Sequence, residues 1–337
     1  MNTREGGIQS NSRTTRKKNI ISVIMTKQES GIILATLIYV IMVTCVNSVF
    51  ISPSNLFNIL RSAGFTLITT VGMTLVLITG GLDLSVGSVL ALGGVVTGIA
   101  LRAGLPLPVA LLVGIAVGVA IGCINGFLVV RAGVPPLIVT LGMMYAARGL
   151  VSVITKGVPI YPLPTQFQMI EQSSIFNIPV IVYVAILIAV IGHVILSRTV
   201  FGRSIYAVGG NAEAARISGI NSKKIIFNVY VLTSALAAIT GIFMSARLGS
   251  AEAAAGSGFE LTVICAAIIG GTSTFGGSGS IAGATVGALF MEILSNSLTL
   301  MHISVYWQNL VVGTILVLAV LLDQYKRTWL LRNSIKR

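Results

Sequence analysis

Ten apolar stretches, nearly free of charge, run through this chain at about residues 31–51, 65–80, 86–101, 107–130, 136–153, 179–197, 225–246, 260–275, 279–300 and 305–323. A bilayer core about 30 Å thick asks for about 20 apolar residues per crossing helix. Stretches of that order, repeated along the whole length, constrain the chain to a bundle of membrane-crossing helices. Only 9% of the 337 residues are charged, against about 25% in soluble domains, so no water-facing surface can be covered. A soluble enzyme, a nucleic-acid-binding protein and a disordered chain are excluded together. The expected fold class is an all-α polytopic membrane protein with about ten transmembrane helices. Several stretches fall below 18 residues, the usual minimum for a full crossing, so neighbouring pairs can fuse or re-enter.

The net charge of +13 reads as topology. Arg4, Arg13, Arg16, Lys17, Lys18 and Lys27 precede the first stretch; Arg198, Arg203, Arg216, Lys223 and Lys224 share one central loop; Lys326, Arg327, Arg332, Lys336 and Arg337 close the chain. Cytoplasmic segments carry such an excess of Lys and Arg. Ten crossings place all three groups on one side, with both termini in the cytoplasm. The expected organisation is a cytoplasmic tail at 1–30, a transmembrane domain at 31–325 with a cytoplasmic loop at 198–224, and a cytoplasmic tail at 326–337. The first apolar stretch has full spanning length and follows a long polar segment, so it is expected to stay as an anchor and not be cleaved. Cys45, Cys123 and Cys265 lie inside apolar stretches without paired spacing and read as buried hydrophobes.

Two stretches echo one another. Gly81-Leu82-Asp83-Leu84-Ser85-Val86 matches Gly258-Phe259-Glu260-Leu261-Thr262-Val263 by residue type at every position. Gly114, Gly118, Gly122 and Gly126 follow the first; Gly279, Gly283 and Gly287 follow the second. Glycines four apart share one helix face and let another backbone approach closely, which drives helix association in lipid. Ile124-Asn125-Gly126-Phe127 is echoed by Ser295-Asn296-Ser297-Leu298. Two related halves are expected, an organisation typical of transporters.

Ionisable residues inside a membrane cost about 2.5–3.5 kcal/mol each on insertion scales, so Asp83, Arg148, Glu260 and Glu292 draw attention. The acids can act as a proton relay in a secondary carrier, or Asp83 and Glu260 can cap backbone N–H groups at helix starts. Arg148 is expected to pair with one of the acids. Asp83, Ser85, Asn125, Glu260 and Asn296 are the candidates for a gate or pathway. No metal-ligand cluster and no G-x-x-x-x-G-K-[ST] phosphate loop occurs in the sequence, so no cofactor is expected and the usual route to ATP is closed. Gly276-Gly277-Ser278-Gly279 fits a GxSG serine-nucleophile motif, but Ser278 and the histidine it would need, His302, sit at opposite ends of one span, about 30 Å apart at 1.5 Å per residue.

The central loop carries the clearest local signal. Asn211 suits an N-cap, Glu213 the first turn, Arg216 the last, and Gly219 the C-terminal stop. Asn211-Ala212-Glu213-Ala214-Ala215-Arg216-Ile217-Ser218-Gly219 therefore reads as a short exposed helix, suited to docking a cytoplasmic partner.

These segments resemble the permease subunits of bacterial ABC importers for ribose, arabinose, xylose and galactose. The resemblance runs from about residue 30 to 325. It is carried by Gly80-Gly81-Leu82-Asp83-Leu84-Ser85-Val86-Gly87-Ser88, by Pro135-Pro136-Leu137-Ile138-Val139-Thr140-Leu141-Gly142, by Phe201-Gly202-Arg203-Ser204-Ile205-Tyr206-Ala207-Val208-Gly209-Gly210-Asn211, and by Ile269-Gly270-Gly271-Thr272-Ser273 with Gly276-Gly277-Ser278-Gly279. It implies a non-enzymatic subunit of the inner membrane that transports a monosaccharide. The implied partners are a cytoplasmic ABC ATPase, a periplasmic sugar-binding protein and a second permease chain. Glu213, Ala214, Ala215 and Gly219 match the coupling-helix pattern of that family. After Glu260 the family commonly has Asp-Ala-Ile-Ala-Ala where this chain has Leu261-Thr262-Val263-Ile264-Cys265, and often Asn-Gly where this chain has Asn296-Ser297. Both departures bear on the substrate and not on the class.

Overall fold

In the computed structural model, residues 30–335 are described, without the side chains of 30, 326, 327 and 329–335. The basic N-terminal cluster and the charged side chains that close the chain therefore lie outside the described set. Thirteen α-helices are found among the described residues. Seven are long and apolar enough to cross a membrane: α2 (Pro53–Ile78), α4 (Leu107–Val130), α5 (Pro136–Thr155), α7 (Val180–Arg198), α10 (Ser222–Leu248), α12 (Ile281–Leu300) and α13 (Val305–Ile335). Three apolar helices are shorter: α1 (Ser30–Val46), α3 (Val86–Arg102) and α11 (Phe259–Ile269). Together they account for the ten expected stretches. The small helices α6 (Thr165–Gln172), α8 (Val200–Gly210) and α9 (Ala212–Ile217) complete the set, with a two-residue antiparallel hairpin pairing β1 (Ser174–Ile175) with β2 (Ile178–Pro179).

Proline sets several helix starts. Pro53, Pro108 and Pro136 occupy the first turns of α2, α4 and α5, where a missing N–H costs nothing. Ser52 caps α2 by accepting a bond from the Asn55 N–H. At the other end of α10, Gly249 turns the chain with φ +63°, a left-handed conformation that suits glycine.

At the centre α2 and α10 lie against each other. Thr69 and Thr240 share a hydrogen bond of 2.9 Å, and the Thr233 hydroxyl donates to the Gly72 carbonyl at 3.0 Å. Around them the packing is exchanged: α3 and α4 cover α10, while α11 and α12 cover α2. Each long helix is thus sheathed by the two helices that follow the other one. The glycine ladder of α4 is what brings α10 close. Gly118 faces Ser234 and Ala238, Gly122 faces Tyr230 and Val231, and Gly126 faces Phe227. Gly114 faces α3 at Thr97 and Gly93.

Three sequence expectations change. The second glycine ladder does not serve the same contact: Gly287 meets Ala266 of α11 and Gly283 meets Gly270 just past its end. Gly279 precedes α12 and has φ +154°, so it lies off the helix face. The stretch at 260–275 stops being helical at Ile269, because Gly270 and Gly271 open a non-helical segment that runs to Ser280. Finally, α2 begins a dozen residues earlier than hydropathy placed it, and the loop at 198–224 holds two helices.

Two faces of the bundle can be told apart. The C-terminal end of α2, the helices α8 and α9, and the start of α10 share one face with Arg198, Arg203, Arg216, Lys223 and Lys224; it is called the basic face below. There the Gly277 N–H bonds the Ile78 carbonyl at 2.8 Å, and Gly209 lies against Ile78 and Gly277. At the opposite face α6 covers the end of α10, with Gln172 donating to the Arg247 carbonyl at 3.2 Å. Phe167 and Glu171 of α6 are buried.

The ladder contact has a measurable consequence. A Cβ at Gly122 would lie 2.7 Å from the Val231 Cα and 2.8 Å from the Tyr230 carbonyl, whereas one at Gly142 meets nothing within 4 Å. Gly122→Ala should cost about 1–3 kcal/mol through overpacking and lower the unfolding temperature in detergent. Gly142→Ala should leave it unchanged or slightly raised, since alanine is the better helix former.

Candidate functional site

The basic face presents one surface built to be touched. Asn211 Oδ1 accepts bonds from the Glu213 and Ala214 N–H groups at 3.0 and 2.9 Å, which fixes the start of α9. Arg216 answers Glu213 one turn later with a two-pronged contact, Nη2 to Oε1 at 2.6 Å and Nε to Oε2 at 3.0 Å. The bonds to Arg216 hold the Glu213 carboxyl below its usual range and raise the guanidinium. Gly219, at φ +82°, ends the helix, and the Ile220 N–H returns to the Ala215 carbonyl at 3.0 Å. Ala215 is buried, while the Glu213 and Arg216 side chains and Ile217 project outward. The helix read from Asn211–Gly219 is present, and α8 precedes it directly. The sequence signals for α8 were a cap at Thr199, which accepts from the Gly202 N–H at 3.1 Å, and the uninterrupted run up to Gly209.

Directly beneath α8 lies the non-helical segment 270–280. Gly276 and Gly277 rest against the backbone of Gly209 and Gly210, and Tyr206 donates its hydroxyl to the Gly279 carbonyl at 2.7 Å. From the far side Asp323, on α13, gathers this segment with a single oxygen. Its Oδ2 accepts from Ser273 Oγ at 3.0 Å, the Thr274 N–H at 2.9 Å and Thr274 Oγ1 at 3.0 Å. Asp323 is a residue that sequence reading passed over. Its signal was an acid at the very end of an otherwise apolar span.

A cavity of about 440 Å³ opens beside this segment. Gly80, Gly81, Leu82 and Leu84 line it, with Pro135, Pro136 and Leu137 from the start of α5. Leu261 and Ile264 of α11, Leu316 and Val320 of α13, and Thr274 close the remaining sides. Both motifs at 80–88 and 135–142 therefore meet at one space, and its wall is almost entirely apolar.

Of the expected gate and pathway residues, Asp83, Ser85, Asn125 and Glu260 lie near that wall, Asn296 lies away from it with Asn55 at the start of α2, and none of the five is among its lining. Asp83 Oδ1 accepts from the Ser85 N–H at 2.8 Å and from Ser85 Oγ at 2.6 Å; Asn125 Nδ2 donates to the same Ser85 Oγ at 3.0 Å. All three residues are fully buried. Asp83 thus stiffens the turn into α3 and, through Ser85, ties it to α4. Glu260 lies in the first turn of α11 with Oε2 against Gly87, in the first turn of α3. Two helix N-termini, each carrying partial positive charge, therefore flank one carboxylate. Asn296 and Asn55 exchange two amide bonds of 2.9 Å, joining α12 to α2. Glu292 accepts from Thr66 Oγ1 at 2.5 Å.

Arg148 meets its expected acid only in part. Glu260 is the acid that interacts with it electrostatically, but the two make no contact ion pair among the described residues; instead Arg148 Nη1 donates to the carbonyls of Ala253 and Ala255, each at 2.6 Å. Those carbonyls belong to the irregular segment between α10 and α11, where helical partners are missing. A guanidinium with five donors is the side chain that can serve two carbonyls at once.

Comparison with known proteins places this architecture. Residues 55–320 match the family described as the branched-chain amino acid transport system / permease component. The ribose import permease of Bacillus subtilis (strain 168) is 40% identical over 301 residues, covering 89% of this chain and 94% of the relative. The ribose import permease of Escherichia coli (strain K12) is 39% identical over 303 residues, with 89% and 94% covered. This chain belongs to that permease family. The xylose transport system permease of Escherichia coli (strain K12) is 33% identical over 336 residues, with 81% and 86% covered. No solved structure matches the chain. The relatives are permeases and the spans are apolar, so the chain is a multi-pass bacterial membrane protein.

The permease also carries charges at the face opposite the basic one that sequence reading did not gather. Arg61 Nε and Glu171 Oε1 form an ion pair at 3.1 Å, with the Glu171 side chain wholly buried. Arg247 stands close to both and lies 5.6 Å from the Phe65 ring centre. Glu171, Gln172 and Phe167 bring α6 down onto α2 and α10, so a short connection between spans becomes a fitted cap. Burial pushes the Glu171 carboxyl above its usual 4.5, and Arg61, then Arg247, pull it back down without cancelling the rise. An acid whose folded-state value is raised binds its proton more tightly when folded, so stability falls as pH rises from 4.5 toward that value. Glu171→Gln should flatten this part of the stability–pH curve, measured as unfolding temperature in detergent. Arg61→Ala should cost more stability at neutral pH than Glu171→Gln, because it strands a buried carboxylate.

Proposed function

We propose that this permease is the membrane-spanning subunit of an ATP-driven importer for a monosaccharide, with its basic face in the cytoplasm. The observation that carries the reading is α9: a capped, charged, exposed helix that directly follows α8, whose Gly209 and Gly210 rest on the segment 270–280. The positive-inside rule supports the orientation, and the ribose and xylose relatives support a pentose as the first substrate class to test. The partners that follow are a cytoplasmic ABC ATPase at α8 and α9, a periplasmic sugar-binding protein over the face capped by α6, and a second permease chain. The sequence has no phosphate loop, so energy has to arrive through contact.

The route for that contact is short. A push on α9 moves Asn211 and, with it, Gly209 and Gly210. No side chain cushions those glycines from Gly276 and Gly277, so displacement passes from backbone to backbone. Tyr206 couples the same motion to the start of α12 through Gly279.

In proteoliposomes holding the permease, its ATPase and its binding protein, ribose uptake should require ATP. Replacing Glu213 and Gly219 together by alanine should lower uptake at least tenfold while the amount of inserted protein is unchanged. Normal uptake by that variant would remove the coupling role of α9. Uptake that survives ATP depletion and collapses with the proton gradient would instead make the chain a secondary carrier.

A further inference from the structure

We propose that the 440 Å³ cavity is a water-filled vestibule on the sugar's route, and that its wall is the part of the permease the docking helix moves. This inference rests on the transport reading above and deepens it by naming the lining.

Three observations converge on the cavity. The first is its backbone. Gly80–Leu82 is non-helical and lines the space, and backbone that leaves the helix is tolerated against protein or water and not against lipid. The Leu82 carbonyl shows how lightly this wall is held: it accepts from Tyr230 and Thr140 hydroxyls, each at a long 3.3 Å. A sugar hydroxyl can replace Thr140 there without leaving it bare, because the Thr140 hydroxyl also donates to the Pro136 carbonyl at 3.0 Å.

The second is chemistry. Leu82, Leu84, Leu137, Leu261 and Ile264 offer no strong hydrogen bond, and the acids Asp83 and Glu260 are kept out of the lining. Passage requires sites weak enough to leave; a wall of leucine broken by single carbonyls and the Thr274 hydroxyl satisfies that. The volume lies within the range of about 300–1,000 Å³ typical of small-molecule sites.

The third is connection. Thr274 belongs to both the cavity wall and the segment that α8 presses through Gly276 and Gly277, and Asp323 holds it from α13. The wall therefore has one mobile handle on the docking side and one anchor on the lipid side. Asp323 is a positioning residue in this scheme.

The test uses single cysteines at Leu84, Leu137 and Leu261 in a chain whose Cys45, Cys123 and Cys265 are replaced by alanine. Leu187→Cys, exposed on α7, is the lipid-facing control. Inside-out vesicles are treated with a membrane-impermeant methanethiosulfonate sulfonate. The cavity cysteines should react at least tenfold faster than the control, and the modified carriers should lose ribose uptake. Trapping the ATPase partner with ATP and vanadate should change the rate at Leu137→Cys at least threefold, and Asp323→Asn should abolish that change. Labelling no faster than at Leu187→Cys, with reaction only toward a lipophilic maleimide, overturns the proposal and assigns the space to acyl chains or a partner helix. Fast labelling that leaves uptake intact also overturns it. Labelling needs no ATPase, so loss of ATP dependence with fast, blocking modification would defeat the importer reading and leave the vestibule standing. A vanadate-insensitive rate in an ATP-dependent system would defeat the link to α9 alone.

Discussion

A carbonyl or N–H without a partner inside a bilayer costs several kcal/mol, and this chain interrupts its helices repeatedly within the bundle. What makes those interruptions tolerable is a set of polar side chains sent from other helices. Tyr230 and Thr140 reach the Leu82 carbonyl, Arg148 reaches those of Ala253 and Ala255, Tyr206 reaches that of Gly279, and Asp323 reaches the Thr274 N–H. In each case the bond that a helix would have made locally is made across the fold. The irregular segments are consequently where distant parts of the chain become mechanically joined.

The close approach of the helices has a different origin. Association in lipid draws nothing from hiding apolar surface, so it depends on contact between backbones and on hydrogen bonds worth about 0.6 kcal/mol on average. The ladder of α4 supplies the former and the threonines of α2 and α10 the latter. The exchange of partners, with α3 and α4 on α10 and α11 and α12 on α2, gives the echoed hexapeptides a spatial meaning. The two helix starts they encode face one another at Gly87 and Glu260.

Much of this was legible from residues alone. Hydropathy located ten apolar helices, seven of them long enough to cross a membrane, because apolar length is what a bilayer demands, and Asn211 with Gly219 bracketed α9 because capping is local chemistry. The first glycine ladder likewise named a contact face, although not its partner. What escaped was non-local. Nothing near Asp323 announces that it will bind Thr274, and nothing near Glu171 points to Arg61. Arg148 was conspicuous as a charge, but its partners are carbonyls, which every residue has and no sequence displays. The second ladder misled for a related reason: Gly279 shares the spacing yet stands outside the helix, where a positive φ and not a neighbour's backbone requires it. The gate candidates were chosen as polar residues, whereas the wall of the cavity is leucine, a residue too common in spans to stand out.

The last helix is unusual in having no fully buried residue between Val305 and Tyr325. That surface is left for lipid or a neighbouring chain to cover. Yet the same helix ends its apolar run in Asp323, gripping the segment that borders the cavity. The segment that borders the cavity is thereby tied, through one carboxylate, to the helix with the least of this chain packed around it.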